Sequence, residues 1–338
     1  MNTIDFNNII GHEDVIENLK KALKKENISH SYLFVGSEAI GKKAVALAFA
    51  KTLLCEKGGL EPCNQCISCK KFDSSNHPDF YYIEPDGDLI RKPQIEDIIK
   101  STFTMPLEGK RKVYIIDDSF KMNTQSQNAF LKTLEEPPSY VNIILISTSS
   151  KNLLPTIISR CEIIKFSPLE NDKIMSFLID KCNKTREEAK FISSYSKGSI
   201  GRAIELSNDN EFLSLRDSTI NIIDGLLKGN ELKVISSLGF FDDNQDSYEE
   251  ILDIILYWFR DLYIYIELGD NDLIVNRDKM ELLSNQTYLS RSKINDIIES
   301  VLVTKENIQK KVNYQLSIET MRLKIQEVKN DNSCRSKI

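Results

Sequence analysis

The sequence predicts a doubly wound α/β domain built on a parallel five-stranded sheet, followed by a small helical lid and an all-α C-terminal domain. Three observations predict it. Five short β-like runs, Tyr32–Val35, Phe80–Ile83, Lys112–Asp117, Asn142–Ser147 and Glu162–Phe166, alternate with helical patterns. Two of them, Val113-Tyr114-Ile115-Ile116 and Ile143-Ile144-Leu145-Ile146, are apolar without alternation, the pattern of strands buried on both faces of a parallel sheet. From Leu169 the strand signals stop and the chain reads as helix.

Taken in order, Glu13–Lys25 sets Val15, Leu19, Ala22 and Leu23 on one helical face. The preceding Ile9-Ile10-Gly11 reads either as a packing segment or as a surface for a nucleotide base. The first strand then enters Gly36-Ser37-Glu38-Ala39-Ile40-Gly41-Lys42-Lys43, and the helix Ala44–Leu54 follows. Strand, glycine-bounded loop, lysine and helix in that order make a P-loop, whose backbone N–H groups and helix N-terminus suit an anion. Gly36, Gly41 and Lys42 meet the G-x-x-x-x-G-K spacing. The next position calls for a Ser or Thr hydroxyl on Mg²⁺. Lys43 stands there, and an ammonium only donates hydrogen bonds and repels a cation. The sequence therefore presents a nucleotide site with a damaged metal position, leaving ATP or ADP binding and Mg²⁺ open.

Pro93–Phe103, Thr124–Glu135 and Leu154–Arg160 are the remaining helices of the α/β domain, expected to span residues 1–167. Pro93 suits a first turn, and Pro137-Pro138 stops the helix before it. Glu170–Cys182, Arg186–Ser196 and Gly201–Asn208 form the expected lid, 168–208, with Thr185 and Glu188 as a capping box. Residues 209–330 are expected to be helical, with an apolar segment around Tyr257-Trp258-Phe259, a break at Asn285–Ser290 and a last helix Lys305–Val328. A disordered polar tail is expected at 331–338.

Chemistry-bearing residues fall at four places. Asp117-Asp118 ends an apolar strand, where a carboxylate can hold Mg²⁺ and its neighbour orient water. Cys55, Cys63, Cys66 and Cys69, in an insertion at about 55–72, have spacing and turn chemistry (Gly58-Gly59, Pro62, Asn64), with no strand or helix period between them, for a closed structural Zn²⁺ site. Cys55 ends a helix and is the weakest ligand; His77, in His77-Pro78-Asp79, is the candidate to replace it, though the turn-residue reading is preferred. Arg160, in Ser159-Arg160-Cys161, suits a helix C-terminus and equally suits a neighbour's γ-phosphate in trans. Arg202, at a helix N-terminus, calls for a compensating anion, a nucleotide phosphate or a carboxylate.

The 338 residues are 41% hydrophobic and 28% charged, with a net charge of −6. This composition fits a soluble protein with a sizeable core and argues against a generally basic nucleic-acid coat. Met1–Asp5 lacks the basic and apolar regions of a signal peptide, and no run approaches the ~18 apolar residues of a membrane span. A cytoplasmic chain without membrane contact is expected, and seven cysteines there suggest metal or free thiols. Cys161, Cys182 and Cys334 read as ordinary thiols.

With these residues in hand, the motif order resembles the AAA+ clamp loaders of bacterial DNA polymerase III, most closely their delta-prime branch. The matching pieces are Gly36–Lys43, the four-cysteine insertion, His77-Pro78-Asp79, Ile116-Asp117-Asp118, Asn128–Pro138, Leu154-Pro155-Thr156-Ile157, Ser159-Arg160-Cys161 and Asn313-Tyr314-Gln315-Leu316 with Glu319. The likeness is strong over about residues 5–205. ATP-hydrolysing tau/gamma members carry Thr or Ser at the position of Lys43 and Glu at that of Asp118. The first sensor position falls at about Ser149 instead of an Asn, and Arg202 matches the second sensor. The resemblance implies a replication subunit in an open ring of five with tau/gamma and delta subunits, joined through a C-terminal collar. Such rings load the sliding clamp onto primed DNA within the DNA-directed polymerase holoenzyme, a nucleotidyltransferase complex. It implies a stationary member with little ATPase of its own, giving Arg160 to a neighbour's ATP. Two other readings stand beside it: an active tau/gamma-type ATPase using Lys42, Asp117 and Arg202, which Lys43 opposes, and a zinc-dependent DNA-binding module, for which Lys70-Lys71 is a meagre basic cluster.

Overall fold

The apolar runs assemble into a single all-parallel sheet. The computed structural model describes residues 3–229, 231–270 and 272–335. In chain order it begins with α1 (Glu13–Lys24), β1 (Ser31–Val35), α2 (Lys42–Leu54), α3 (Ile67–Asp73), β2 (Phe80–Ile83), α4 (Lys92–Thr102) and β3 (Lys112–Ile116). Then come α5 (Thr124–Glu135), β4 (Val141–Ser147), α6 (Pro155–Ile158) and β5 (Glu162–Lys165). The strand order is β2-β3-β4-β1-β5, with every neighbouring pair parallel. The strand feeding the glycine loop thus lies centrally, and only β4 separates it from the strand that ends at Asp117-Asp118.

Alternation along each strand sends side chains to two cores. Tyr32, Phe34, Val113, Ile115, Ile144 and Ile146 pack with Leu19 of α1, Phe49 of α2 and Phe72 of α3. Leu33, Tyr114, Ile116, Ile143 and Leu145 pack on the opposite face with Ile95 of α4, Phe130 of α5 and Ile157 of α6. Every residue of β3 and β4 is buried, which is why their sequences carry no polar alternation. Each buried Ile or Leu contributes about 1.5–3 kcal/mol, so these two strands anchor the loops at their ends.

The chain packs as two compact units. One is the chain up to Phe177 together with Ser196–Ile204; the other is Leu178–Tyr195 together with the chain from Glu205 onward. The expected lid residues are shared between them. The remaining helices are α7 (Asn171–Cys182), α8 (Arg186–Tyr195), α9 (Ile200–Asn208), α10 (Asn210–Lys228), α11 (Glu231–Asp243), α12 (Tyr248–Leu268), α13 (Met280–Ser284), α14 (Arg291–Gln309) and α15 (Tyr314–Arg335). Thr185 and Glu188 cap α8 reciprocally, at 3.2 and 2.9 Å. In the second unit Trp258 and Phe259 are fully buried, and Trp258 Nε1 donates to Gln286 Oε1 (2.9 Å). Arg216 is gripped by Asp278 (2.6 and 2.8 Å) and lies over the Phe191 ring.

Two sequence expectations need correction. The last helix is divided: α14 ends at Gln309, Lys311 takes a left-handed φ of 60°, and Asn313 Oδ1 caps α15 by accepting the Leu316 N–H. The cysteine insertion is not wholly irregular: Cys66 Sγ accepts the Cys69 N–H and starts α3. Of the tail expected at 331–338, α15 takes the chain to Arg335, and residues 336–338 lie outside the described residues.

The insertion is tied to α2 through Lys51, whose fully buried side chain donates to Asp73 (2.7 and 2.8 Å) and Asn64 Oδ1 (2.7 Å). Asp73→Ala is expected to leave a buried ammonium with one neutral acceptor and to cost about 3 kcal/mol in denaturant unfolding. Lys51→Met with Asp73→Leu should cost less than that single change; an equal or larger cost would show that the charge is not the cause.

Candidate functional site

The glycine loop is held by the chain's own donors. Lys42 is buried, and its Nζ donates to Gly36 O (2.6 Å) and Ser37 O (2.5 Å). Burial pushes the Lys42 pKa down against the pull of Asp117, Asp118 and Glu38. Ser199 Oγ donates to Glu38 O (3.1 Å), and Gly201 N–H donates to Ala39 O (2.9 Å). His12 Nε2 donates to Ile40 O (2.8 Å), and Val45 N–H to Gly41 O (3.1 Å). The carbonyls from Gly36 to Gly41 therefore all have partners within the protein. Two glycines are needed for this closeness. Gly41 has φ 114°, and a Cβ on Gly201 would sit 2.8 Å from both the Cβ and O of Ala39.

At the end of β3 the Asp117 carboxylate is also engaged. Tyr82 of β2 donates its hydroxyl to Asp117 Oδ2, and Lys43 Nζ lies 3.6 Å from the same oxygen and 4.5 Å above the Tyr82 ring. Burial, and then the bond to Asp117, raise the Tyr82 pKa, so the hydroxyl remains a donor. Asp118 adopts a left-handed φ of 45° and pairs with Lys121 (3.0 Å), whose pKa is raised by that bond. The structure thus gathers Lys42, Lys43, Asp117 and Asp118 around one loop. This donor set does not fit Mg²⁺: a cation would meet an ammonium where a hydroxyl is required, and a carboxylate already shared by a phenol and a lysine.

The four predicted cysteines come together. Cys55, Cys63, Cys66 and Cys69 place their sulfurs within 4.8 Å of one another, and Cys63 and Cys69 are 3.9 Å apart. Zn–S bonds of about 2.3 Å in a tetrahedron require sulfurs about 3.8 Å apart, so the cluster fits a metal of that kind. Backbone N–H groups of Gln65 and Cys66 hold the Cys63 thiol down to about 6, ready as a thiolate, whereas burial raises Cys69 and Cys55. His77 is not their substitute. Its Nδ1 accepts the Asp79 N–H (3.1 Å), and its Nε2 meets Ser68 Oγ (2.9 Å), which donates onward to Leu54 O (2.6 Å). The Asp79 carboxylate accepts the N–H groups of Leu107, Glu108 and Gly109 (2.7, 2.9 and 3.1 Å). The His77-Pro78-Asp79 turn is thus a structural knot between the cysteine insertion and the loop after α4.

Arg160 lies apart from the glycine loop's contacts. Its Nη1 donates to Thr156 O (2.7 Å) and its Nη2 pairs with Glu135. Arg202 is half-buried in the first turn of α9, its N–H donating to Ser199 Oγ (3.3 Å). Ser149 ends β4's loop, its carbonyl accepting from Ser147 Oγ (2.6 Å). Sequence reasoning missed His12, Tyr82, Ser199 and Glu135. Ile9-Ile10-Gly11 was the one nearby signal for His12: Gly11 takes a positive φ against Leu169 and delivers the imidazole to the loop.

Comparison with known proteins identifies the family. Residues 11–170 match the family model "DNA polymerase III, delta subunit", and residues 210–327 match "DNA polymerase III, delta subunit, C terminal". The chain is 32% identical to DNA polymerase III subunit delta' of Bacillus subtilis (strain 168), over 93% of this chain and 95% of that protein. It is 36% identical to DNA polymerase III subunit gamma of Buchnera aphidicola subsp. Acyrthosiphon pisum, over 60% of this chain and 57% of that protein. A gamma subunit-related protein of Thermotoga maritima of known structure aligns over 93% of this chain and 99% of its own, at 19% identity and a TM-score of 0.42. The chain belongs to the delta-prime family of DNA polymerase III clamp-loader subunits.

Burial lowers the His77 pKa, and its Nδ1 is committed as an acceptor. The folded state therefore binds fewer protons than the unfolded state below about pH 6.5. The stability His77 contributes should be complete above that pH and decline as pH falls through it. Unfolding of the wild type and His77→Gln at pH 7.5 and 5.5 checks this: the gap between them should narrow in acid, and a constant gap would remove His77 from the pH dependence.

Proposed function

We propose that this chain is a stationary end member of the clamp-loader ring, with a P-loop kept as a strut and Arg160 supplied to the ATP of a neighbouring subunit. The observation that carries the reading is the state of the loop. Lys42 is spent on Gly36 and Ser37, and Asp117 is spent on Tyr82 and Lys43. A working site needs the first for phosphate and the second for metal. Arg160, by contrast, is partly exposed, with 30% of its side chain accessible. A guanidinium so placed can stabilise charge on a phosphate outside its own chain. The partners would be tau/gamma- and delta-type subunits in a ring of five, joined through the helical region from 209 to 330, which acts on the sliding clamp and primed DNA. Among the described residues no helix is long and apolar enough to cross a membrane.

The four thiolates would hold a structural Zn²⁺, with all four positions filled by protein and none open for chemistry. Bound there, zinc would lock α3 against the end of α2, since Cys55 follows α2 and Cys69 lies in α3. Elemental analysis of protein purified without chelator should give one zinc per chain; none would leave the cysteines as plain thiols.

The purified chain should hydrolyse ATP negligibly, and turnover on the order of 1 s⁻¹ would favour the tau/gamma-type reading instead. In a reconstituted loader, Arg160→Ala should leave assembly intact by gel filtration. It should also slow hydrolysis at the site it serves by about 10³-fold or more, lowering the total rate by that site's share. An unchanged rate would remove the in-trans role.

A further inference from the structure

Helix α5 grips the segment that carries Arg160 at both ends. Ahead of α6, Gln127 of α5 donates Nε2 to Asn152 O (3.1 Å) and accepts the Leu154 N–H at Oε1 (2.7 Å). Beyond α6, Glu135, the last residue of α5, pairs with Arg160 Nη2, while Nη1 donates to Thr156 O (2.7 Å). The guanidinium is therefore fixed at both terminal nitrogens. The carboxylate's own anchor is firm. Glu136 N–H closes the helix on Lys132 O (3.2 Å), and Pro137-Pro138 follows directly.

A pair this exposed, 30% for Arg160 and 47% for Glu135, adds little to folding stability. Its consequence is direction. The two bonds use one N–H of each terminal nitrogen, and a guanidinium has five in a rigid fork, so the fork can be aimed by Glu135 and still present donors outward.

We propose that Glu135 is a positioning residue for Arg160, holding the guanidinium in the orientation in which it meets a phosphate of the neighbouring subunit. This rests on the in-trans reading of Arg160. Pre-orientation lowers the ordering cost at the moment the transition state forms, so it acts on kcat and leaves ground-state binding of ATP alone. The opposite sign is also chemically defined: a carboxylate that sequesters the arginine would compete with phosphate, and its removal would speed hydrolysis.

The test uses the reconstituted loader with wild type, Glu135→Ala, Glu135→Gln, Arg160→Ala and the double variant Glu135→Ala/Arg160→Ala. Glu135→Ala is expected to lower kcat by about half or more of the loss caused by Arg160→Ala, with KM for ATP unchanged. Glu135→Gln keeps an acceptor oxygen and should recover most of the rate. The double variant should equal Arg160→Ala, and thermal unfolding of Glu135→Ala should match the wild type. A rate that is unchanged or raised in Glu135→Ala while Arg160→Ala is slow overturns the positioning role alone. A further loss in the double variant also overturns it, because the effect then does not run through Arg160. No loss in Arg160→Ala itself overturns the in-trans reading, and this one with it.

Discussion

The glycine loop depends on where one ammonium goes. A buried lysine must find acceptors, and Lys42 finds them in the carbonyls of Gly36 and Ser37. That choice pulls the loop closed on its own helix and lets the next carbonyls face outward to other parts of the unit. Ser199 and Gly201 take Glu38 and Ala39, and His12 takes Ile40. Segments far apart in sequence are thereby fastened to one loop, and the approach of Gly201 to Ala39 leaves no room for a side chain. The loop organises the unit through hydrogen bonds that need no ligand.

A second knot lies under the cysteine insertion. Asp79 spends its carboxylate on three consecutive N–H groups, while its own N–H fixes the His77 tautomer. His77 then reaches Ser68 between the last two cysteines, and Ser68 reaches the end of α2. Lys51 adds a buried charge link from α2 to Asp73, at the end of α3. The insertion is therefore docked on α2 by polar contacts independent of the thiols. A metal held by the four sulfurs would reinforce this geometry locally.

The sheet was legible because its signal is local. Ile143–Ile146 and Val113–Ile116 are buried on both faces, and uninterrupted apolar runs say so directly. The cysteine cluster and the glycine loop were legible as motifs for the same reason: the four cysteines fall within 15 residues, and the loop's two glycines and Lys42 within seven. The break between α14 and α15 was not, because Lys310-Lys311-Val312-Asn313 contains no glycine or proline and continues a helical pattern; only Lys311's left-handed backbone ends it. The contacts of the site were least visible. His12 and Ile40 are 28 positions apart and Ser199 and Glu38 are 161 apart, so no window of sequence joins them. Tyr82 read only as a strand residue, since its role lies in a hydroxyl that crosses to the neighbouring strand.

Lys43 changes what this site can respond to. A carboxylate at the end of a central strand needs a compensating charge. In a nucleotide-hydrolysing site that charge is a divalent ion, which arrives and leaves with the ligand. Here it is an ammonium attached to the first turn of α2, 3.6 Å from Asp117 and stacked over Tyr82. A tethered charge is present whatever the nucleotide does. The pair is partly exposed and contributes little to stability, so its effect is electrostatic: it removes the unmet demand that would draw a metal. On the reading proposed above, an α/β unit with its loop satisfied and its acid neutralised would keep one arrangement where a switching subunit needs two. In that reading the unit would hold a surface group such as Arg160 at a constant place while neighbouring subunits change state.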